Sequence, residues 1–354
     1  MKIFCLIGVG RSGVDFFQTL FDKHPEVSQM PGYFLFDIFL TKIENKNNTQ
    51  IAKKFIDENK MYFNSKIYKK ERHDELGKNR NEYFTVSKKI FIKKFTQFCK
   101  NQKDSHDIFI NLHLAYSAAS GENINKKKVI ILNIHNIENI SGLKKFNFKI
   151  ILSLRHPISS ISSSISGWLS YSRKNVDLWW LYFQINRLAN LIEDCMKLKK
   201  KIYIIKLDLL HTKNTLLMRK ILKIMNIKYH PNIKKSTYHG KLWWGDKLSN
   251  KKLNGINKNF KDTYNSKNFF KNDVVYLEHC LNFYYTTYKY RKIYKKIQFK
   301  NIYKLMPLKI ELIVWKNLIF NLNFSQIILI PYYYIKRIKT LKAKHQLSNY
   351  PKII

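Results

Sequence analysis

The sequence predicts an α/β fold, a three-layer sandwich around a central parallel sheet, with a helical insertion and a helical C-terminal extension. Four apolar, strand-like runs carry this expectation, residues 2–9, 128–133, 148–154 and 201–207, each followed by a turn and a helical pattern. Such alternation makes the strands parallel and covers both faces of the sheet with crossover helices. A second observation gives the sheet a working edge. Ligands of these sheets sit outside the carboxyl ends of the strands, where Arg11, His135 and Arg155 all fall.

The first run opens into IGVGRSG at residues 7–13 and then into an apolar-periodic segment, so the chain starts as strand, glycine-rich turn and helix. Glycines let the backbone turn tightly with its N–H groups inward, the helix adds the positive end of its dipole, and Arg11 adds a full charge. The expected ligand is an anion. Residues 37–127 read as a mostly helical, highly charged insertion, with a surface loop at 71–79 and a helix near 106–120, expected to shape the acceptor side. The third run ends at Arg155, with Pro157 at a favoured first-turn position. Ile158, Ile161, Ile165 and Leu169 then share one helical face, leaving Ser159, Ser160, Ser162, Ser163 and Ser166 largely on the other. Small hydroxyls beside an arginine admit a phosphate closely, so the two segments together imply a ligand with two phosphates. Residues 250–259 read as a flexible connection. Val274, Leu277, Leu281, Tyr284 and Tyr288 form a stripe expected to pack on the sheet.

The pair of segments resembles the two nucleotide-binding motifs of the sulfotransferase family, whose fold is P-loop NTPase-like and whose donor is 3′-phosphoadenosine 5′-phosphosulfate (PAPS). Its first motif is similar to GRSGTT followed by LLDxHP, matched here by GRSG at residues 10–13 and LFDKHP at residues 20–25. Its second is an arginine at a strand end with a serine eight positions later, matched by Arg155 and Ser163. IHN at residues 134–136 is similar to the segment with a catalytic histidine, and STYHGKLWWGDK at residues 236–247 to a late loop that closes over the nucleotide. The resemblance implies nucleotide contacts from Gly10, Arg11, Ser12, Gly13, Val14, Asp15, Arg155, Ser163, Tyr238, Gly240 and Lys241, and catalytic roles for His135 and Arg11. It spans residues 2–290 and leaves 291–354 as a basic helical extension. Two positions depart from it. Val14 and Asp15 replace a threonine pair, removing hydroxyl donors and adding a carboxylate, and Lys206 stands where an aromatic for adenine is frequent.

The implied reaction is sulfuryl transfer from PAPS to a hydroxyl or amine, leaving 3′-phosphoadenosine 5′-phosphate (PAP). Trp179, Trp180, Trp243 and Trp244 suit stacking on sugar rings, which favours a carbohydrate or glycolipid acceptor. His135 would act as general base, with Asp15 and Glu26 as fallbacks, although a strand-end histidine is also a common satisfied core residue. No metal is expected, because no ligand cluster is present.

Rival readings remain on the residues alone. Gly8, Gly10 and Gly13 also satisfy G-x-G-x-x-G, the fingerprint of an NAD(P)-binding oxidoreductase, but Glu26 precedes the next candidate strand instead of closing it. A nucleoside-triphosphate kinase lacks its G-K-[ST]. A non-catalytic basic protein binding anionic membrane or nucleic acid would explain the charge of +41, from 65 Lys plus Arg against 24 Asp plus Glu, but not the motifs, and nucleic acid is disfavoured. A chain rich in Lys, Ile and Asn also acquires such charge from gene composition alone. With 45% hydrophobic and 25% charged residues, 354 residues are globular and long enough for an enzyme domain with an appendage. Four cysteines without metal-like spacing, and a first strand starting at Lys2 that leaves no room for a leader, point to a cytoplasmic location. In residues 291–354 the apolar stretch 310–334, interrupted by Lys316, asparagines and Pro331, is too polar to span a bilayer. It either packs on the domain or lies in an anionic membrane interface.

Overall fold

A computed structural model describes residues 1–69, 71–100, 104–171, 178–247, 255–264, 266–294, 297–341 and 350–354, with only the backbone of residues 168, 170 and 171. Five strands, β1 (Lys2–Gly8), β2 (Val27–Tyr33), β3 (Val129–His135), β4 (Phe148–Leu154) and β5 (Ile202–Lys206), form one sheet in the order β2-β3-β1-β4-β5. All four pairings are parallel. β1, β3 and β4 are near-continuous apolar runs buried on both faces, as strands between two helical layers must be. Their carboxyl ends bring Gly8, His135 and Leu154 to one edge.

β2 lies outside the four-run alternation, and its composition explains why. Pro31 and Gly32 interrupt it, and its register against β3 shifts between Gln29 and Tyr33. An edge strand tolerates this, since only one side must supply a ladder of hydrogen bonds.

The insertion folds mainly as helices, among them Asn48–Glu58, Lys88–Phe98 and Ser105–Ala119. Asn47 caps the first with a reciprocal capping box, and Ser87 accepts from Ile90 N–H at the start of the second. The loop at 71–79 is not a surface loop throughout: Arg72, His73 and Leu76 are buried. Trp243 and Trp244 cover it, their indole N–H groups donating to the carbonyls of Glu71 and Gly77, both at 2.7 Å.

The helices Pro157–Tyr171 and Leu178–Lys197, which pack on each other, connect β4 to β5, and Val274, Leu277, Leu281, Tyr284 and Tyr288 are buried as expected of a core stripe. The connection expected at 250–259 lies partly outside the described residues. The segment after Tyr290 packs on the rest of the protein: Leu308, Ile310, Val314, Leu318 and Leu341 join the main hydrophobic cluster. Ile353 pairs in parallel with Ile204, and the N–H of Ile354 donates to the Ile204 carbonyl at 3.0 Å, so the terminus shields the β5 edge. All four cysteines are buried and free.

Candidate functional site

The turn after β1 is wound tightly. Ser12 N–H donates to the Val9 carbonyl at 3.1 Å, and Arg11 and Gly13 are left-handed, with φ of 68° and 81°. For Arg11 that conformation costs about 1–2 kcal/mol, so neighbours must hold it. The serine-rich helix and β4 do so: the hydroxyls of Ser160 and Ser164 donate to the Gly10 carbonyl at 2.9 and 3.2 Å, and that of Ser153 in β4 donates to the Ser12 carbonyl at 2.7 Å. Ser160, which reads as a phosphate contact, therefore braces the loop. At Gly13 a Cβ would also stand 2.4 Å from Leu207 Cδ1. Gly13→Ala is expected to destabilise the protein by about 1–3 kcal/mol, measured as a lower urea midpoint at unchanged slope.

Arg11 and Arg155 face the same edge from neighbouring strands. The Arg11 guanidinium donates from Nε to Ser163 Oγ at 3.3 Å and is ion-paired with Asp246. Arg155 donates from Nε to Asp262 Oδ1 at 2.8 Å and from Nη1 to the Arg11 carbonyl at 3.2 Å. The second oxygen of Asp262 accepts from His156 N–H at 3.1 Å. Both arginines thus already hold an anion, and each of those anions is a carboxylate of this chain. Ser163 is on Arg11 instead of Arg155. Two residues before Asp262, the Phe260 ring stacks on His211 at 4.5 Å, and Phe16 stacks on the opposite face at 4.5 Å. Burial, followed by the charge of Arg155, lowers the pKa of His211 to about 4, so that ring is neutral.

His135 ends β3 in a strained turn. Its φ is 56°, and Asn136 N–H reaches back across it to the Ile134 carbonyl. Two groups fix it: its N–H donates to Asn133 Oδ1 at 3.1 Å, and its carbonyl accepts from Arg187 Nη2 at 2.7 Å. The imidazole Nε2 lies 3.0 Å from Asp15 Oδ1, which also accepts from Asn133 Nδ2 at 2.8 Å. Tyr33 stands edge-on to the ring at 5.7 Å. Burial would depress the imidazole pKa, but the charge and hydrogen bond of Asp15 outweigh it and raise the value above the ordinary one. Asp15 moves the other way: burial opposes the shift, while His135, Asn133 and Arg11 together hold the carboxyl well below its usual range. An aspartate accepting from Nε2 leaves Nδ1 as the basic atom. The side chain of His135 remains 34% exposed, so a ligand can reach it.

The other expected contacts lie elsewhere. Asp22 accepts from His239 N–H at 3.0 Å, Gly240 N–H at 2.6 Å and Thr237 Oγ1 at 2.8 Å, while Tyr238 is buried against His73 and Trp243. Lys241 is ion-paired with Glu82, and Lys247 lies 3.7 and 3.2 Å from the carboxylates of Asp74 and Glu75. The late loop therefore binds the insertion, and Asp246 brings its end to Arg11. Glu26 precedes β2 and pairs with Lys128, at the opposite end of the sheet from His135. Among the described residues, no group of acidic, histidine or cysteine side chains could hold a metal ion.

Asp246, Asp262 and Asn133 had no local signal. Gln184 and Arg187 had one: both fall within the apolar face of their helix beside Leu181, Ile185, Leu188 and Leu191. A charged residue on a buried face needs partners, and Arg187 finds them in the strand-end carbonyls.

Fold and site define a parallel α/β protein with two anion-holding arginines and an aspartate–histidine pair at the carboxyl edge of its sheet. No protein-family model matches the chain, and neither does any curated protein sequence. Among solved structures, the chain is similar to the sulfotransferase domain from the Synechococcus PCC 7002 olefin synthase, at 11% identity and a TM-score of 0.42, covering 70% of this chain and 79% of that one. It is also similar to the sulfotransferase domain from the curacin biosynthetic pathway, at 13% identity and a TM-score of 0.38, covering 86% and 95%.

Proposed function

We propose that the protein is a PAPS-dependent sulfotransferase acting on a hydroxyl or amine, with a carbohydrate or glycolipid as the favoured acceptor. The observation that supports this most is the juxtaposition of Arg11 and Arg155, linked through the Arg11 carbonyl and each closed on a carboxylate. Two such guanidinium groups suit a donor with phosphate on both sides of a nucleoside. Residues present also fit it in the loop: the Ser12 hydroxyl is buried and makes no hydrogen bond among the described residues. In this reading Gly10, Arg11, Ser12, Gly13 and Val14 hold the 5′-phosphosulfate, and Arg155 with Ser163 holds the 3′-phosphate.

The acceptor oxygen or nitrogen attacks sulfur while the bond from sulfur to the bridging oxygen of the 5′-phosphate breaks. His135 Nδ1 takes the acceptor's proton, Arg11 stabilises charge growing on the bridging oxygen, and PAP leaves. Asp15 and Asn133 are positioning residues for His135. Trp179, 51% exposed and stacked on Phe183 at 4.7 Å, offers a ring face to a sugar, whereas Trp243 is buried.

Calorimetric titration with PAP, AMP and NAD tests the reading. PAP should bind tightest, and Arg155→Ala should weaken it roughly tenfold to hundredfold, the worth of a hydrogen bond to a charged group. NAD preferred over PAP, or no nucleotide bound, would refute it. Because an entering phosphate must replace a carboxylate, Asp262→Asn is expected to tighten PAP binding roughly three- to tenfold, while AMP binding, lacking the 3′-phosphate, stays as in the wild type.

A further inference from the structure

The residues after Tyr290 bury one side and leave the other bare. Helices Lys309–Phe320 and Ile330–Thr340 run antiparallel: Glu311 pairs with Arg337 across them, and Trp315 meets Tyr334 edge-on at 5.8 Å. Between them the chain turns through residues 321–329, where Phe320, Leu322, Phe324 and Ile328 project, 74, 68, 67 and 76% exposed, alongside the uncharged Asn321 and Ser325. Residues 317–335 contain no charged side chain. Exposed large hydrophobic groups clustered in this way mark a contact surface.

What surrounds the tip tells what it meets. Behind it stand Trp315 and Tyr332, Tyr333 and Tyr334, of which Tyr332 is exposed, with Lys316 and Lys336 interleaved among them, their Nζ atoms 5.5 and 5.4 Å from the Phe320 and Tyr332 rings. Further back come Lys304, Lys309 and Lys339. A largely apolar tip backed by a mixed belt of aromatic and basic side chains suits the boundary between hydrocarbon and anionic head groups. Residues 291–354 hold twelve lysines and two arginines against one acid, Glu311, and that acid is buried. A second copy, with 65 Lys plus Arg against 24 Asp plus Glu, would bring mostly like charge to this belt, whereas an anionic bilayer meets it with the opposite sign throughout. At 1.5 Å rise per residue, Phe320 stands about 7 Å beyond Trp315, the depth of an interfacial anchor. Among the described residues no helix is long and apolar enough to cross a membrane.

We infer that this hairpin is a membrane anchor: its tip inserts into the interface of an anionic lipid bilayer while its lysines bind the head groups. The inference is independent of any nucleotide chemistry.

The test is co-sedimentation of the full chain with sucrose-loaded vesicles of phosphatidylcholine alone or with 30% phosphatidylserine, with no nucleotide present. The wild type should pellet with the mixed vesicles at least tenfold more strongly than with the neutral ones, and less as salt rises. Phe320→Ser/Phe324→Ser/Ile328→Ser should lose that partition at a nearly unchanged thermal midpoint, because these side chains are mostly exposed to solvent. Lys316→Glu/Lys336→Glu should lose it with the tip intact. Wild-type protein left in the supernatant, equal pelleting of the triple variant, or a concentration-dependent dimer that the triple variant abolishes without any vesicle binding would each overturn the assignment.

Discussion

Replacing His135 by alanine is expected to lower turnover with PAPS by roughly 10²- to 10⁴-fold, the usual worth of a general base, with PAP affinity unchanged. The pH profile of the wild type sharpens this expectation. The base must be neutral to accept a proton, and Asp15 raises its pKa above the ordinary 6.5. Neutral imidazole is therefore lost as pH falls through that raised value, so the acidic limb of the rate profile lies above pH 6.5. Asp15→Asn removes the charge that holds the value up, and burial then dominates. The limb should move to lower pH while the maximal rate falls, since the fixed Nε2–H tautomer is lost too. A purely structural role for Asp15 would lower the rate without moving the limb. A profile insensitive to Asp15→Asn would assign the proton transfer to another group.

That pair also shows where reading the sequence stops. Asp15 stands out as a departure from the sulfotransferase-like motif, a carboxylate placed beside an expected phosphate. Its structural partner lies 120 positions away, and no pattern near either residue announces the hydrogen bond. The strands, the glycine turn and the strand-end arginines are legible because each is a local matter of apolar runs, φ > 0 and charge at a strand exit. β2 is less so, because Pro31 and Gly32 mask an edge strand that its neighbour completes. Asp246 and Asp262 are ordinary acids in sequence, and they become significant through the arginines they meet across the fold. Ser160 misleads for a related reason. Small hydroxyls near a phosphate loop can serve the ligand or the loop, and only geometry assigns them to the Gly10 carbonyl.

The extension offers the largest effect on stability. Glu311 and Arg337 are 0 and 1% exposed, with Arg337 Nε 2.7 Å from Glu311 Oε1. The remaining atoms of the pair have partners of their own: Glu311 Oε2 accepts from Leu308 N–H at 2.7 Å, and Arg337 donates to the carbonyls of Lys304 and Met306 at 3.2 and 2.9 Å. The guanidinium also lies against the rings of Tyr276 and Tyr334, which joins the extension to helix Lys271–Cys280. Burial raises the Glu311 pKa in spite of the opposing charge of Arg337, so desolvation cancels much of the attraction. Removing the whole pair and removing half of it should then differ sharply. Glu311→Gln leaves a buried guanidinium without its counter-charge and is expected to cost about 3–5 kcal/mol, read as a lower urea midpoint. Glu311→Met/Arg337→Leu removes both charges and should recover most of that loss, although the carbonyls of Lys304 and Met306 then lose their donors. A single variant within about 1 kcal/mol of the wild type would show that water reaches the pair and that the extension is held by its apolar face alone.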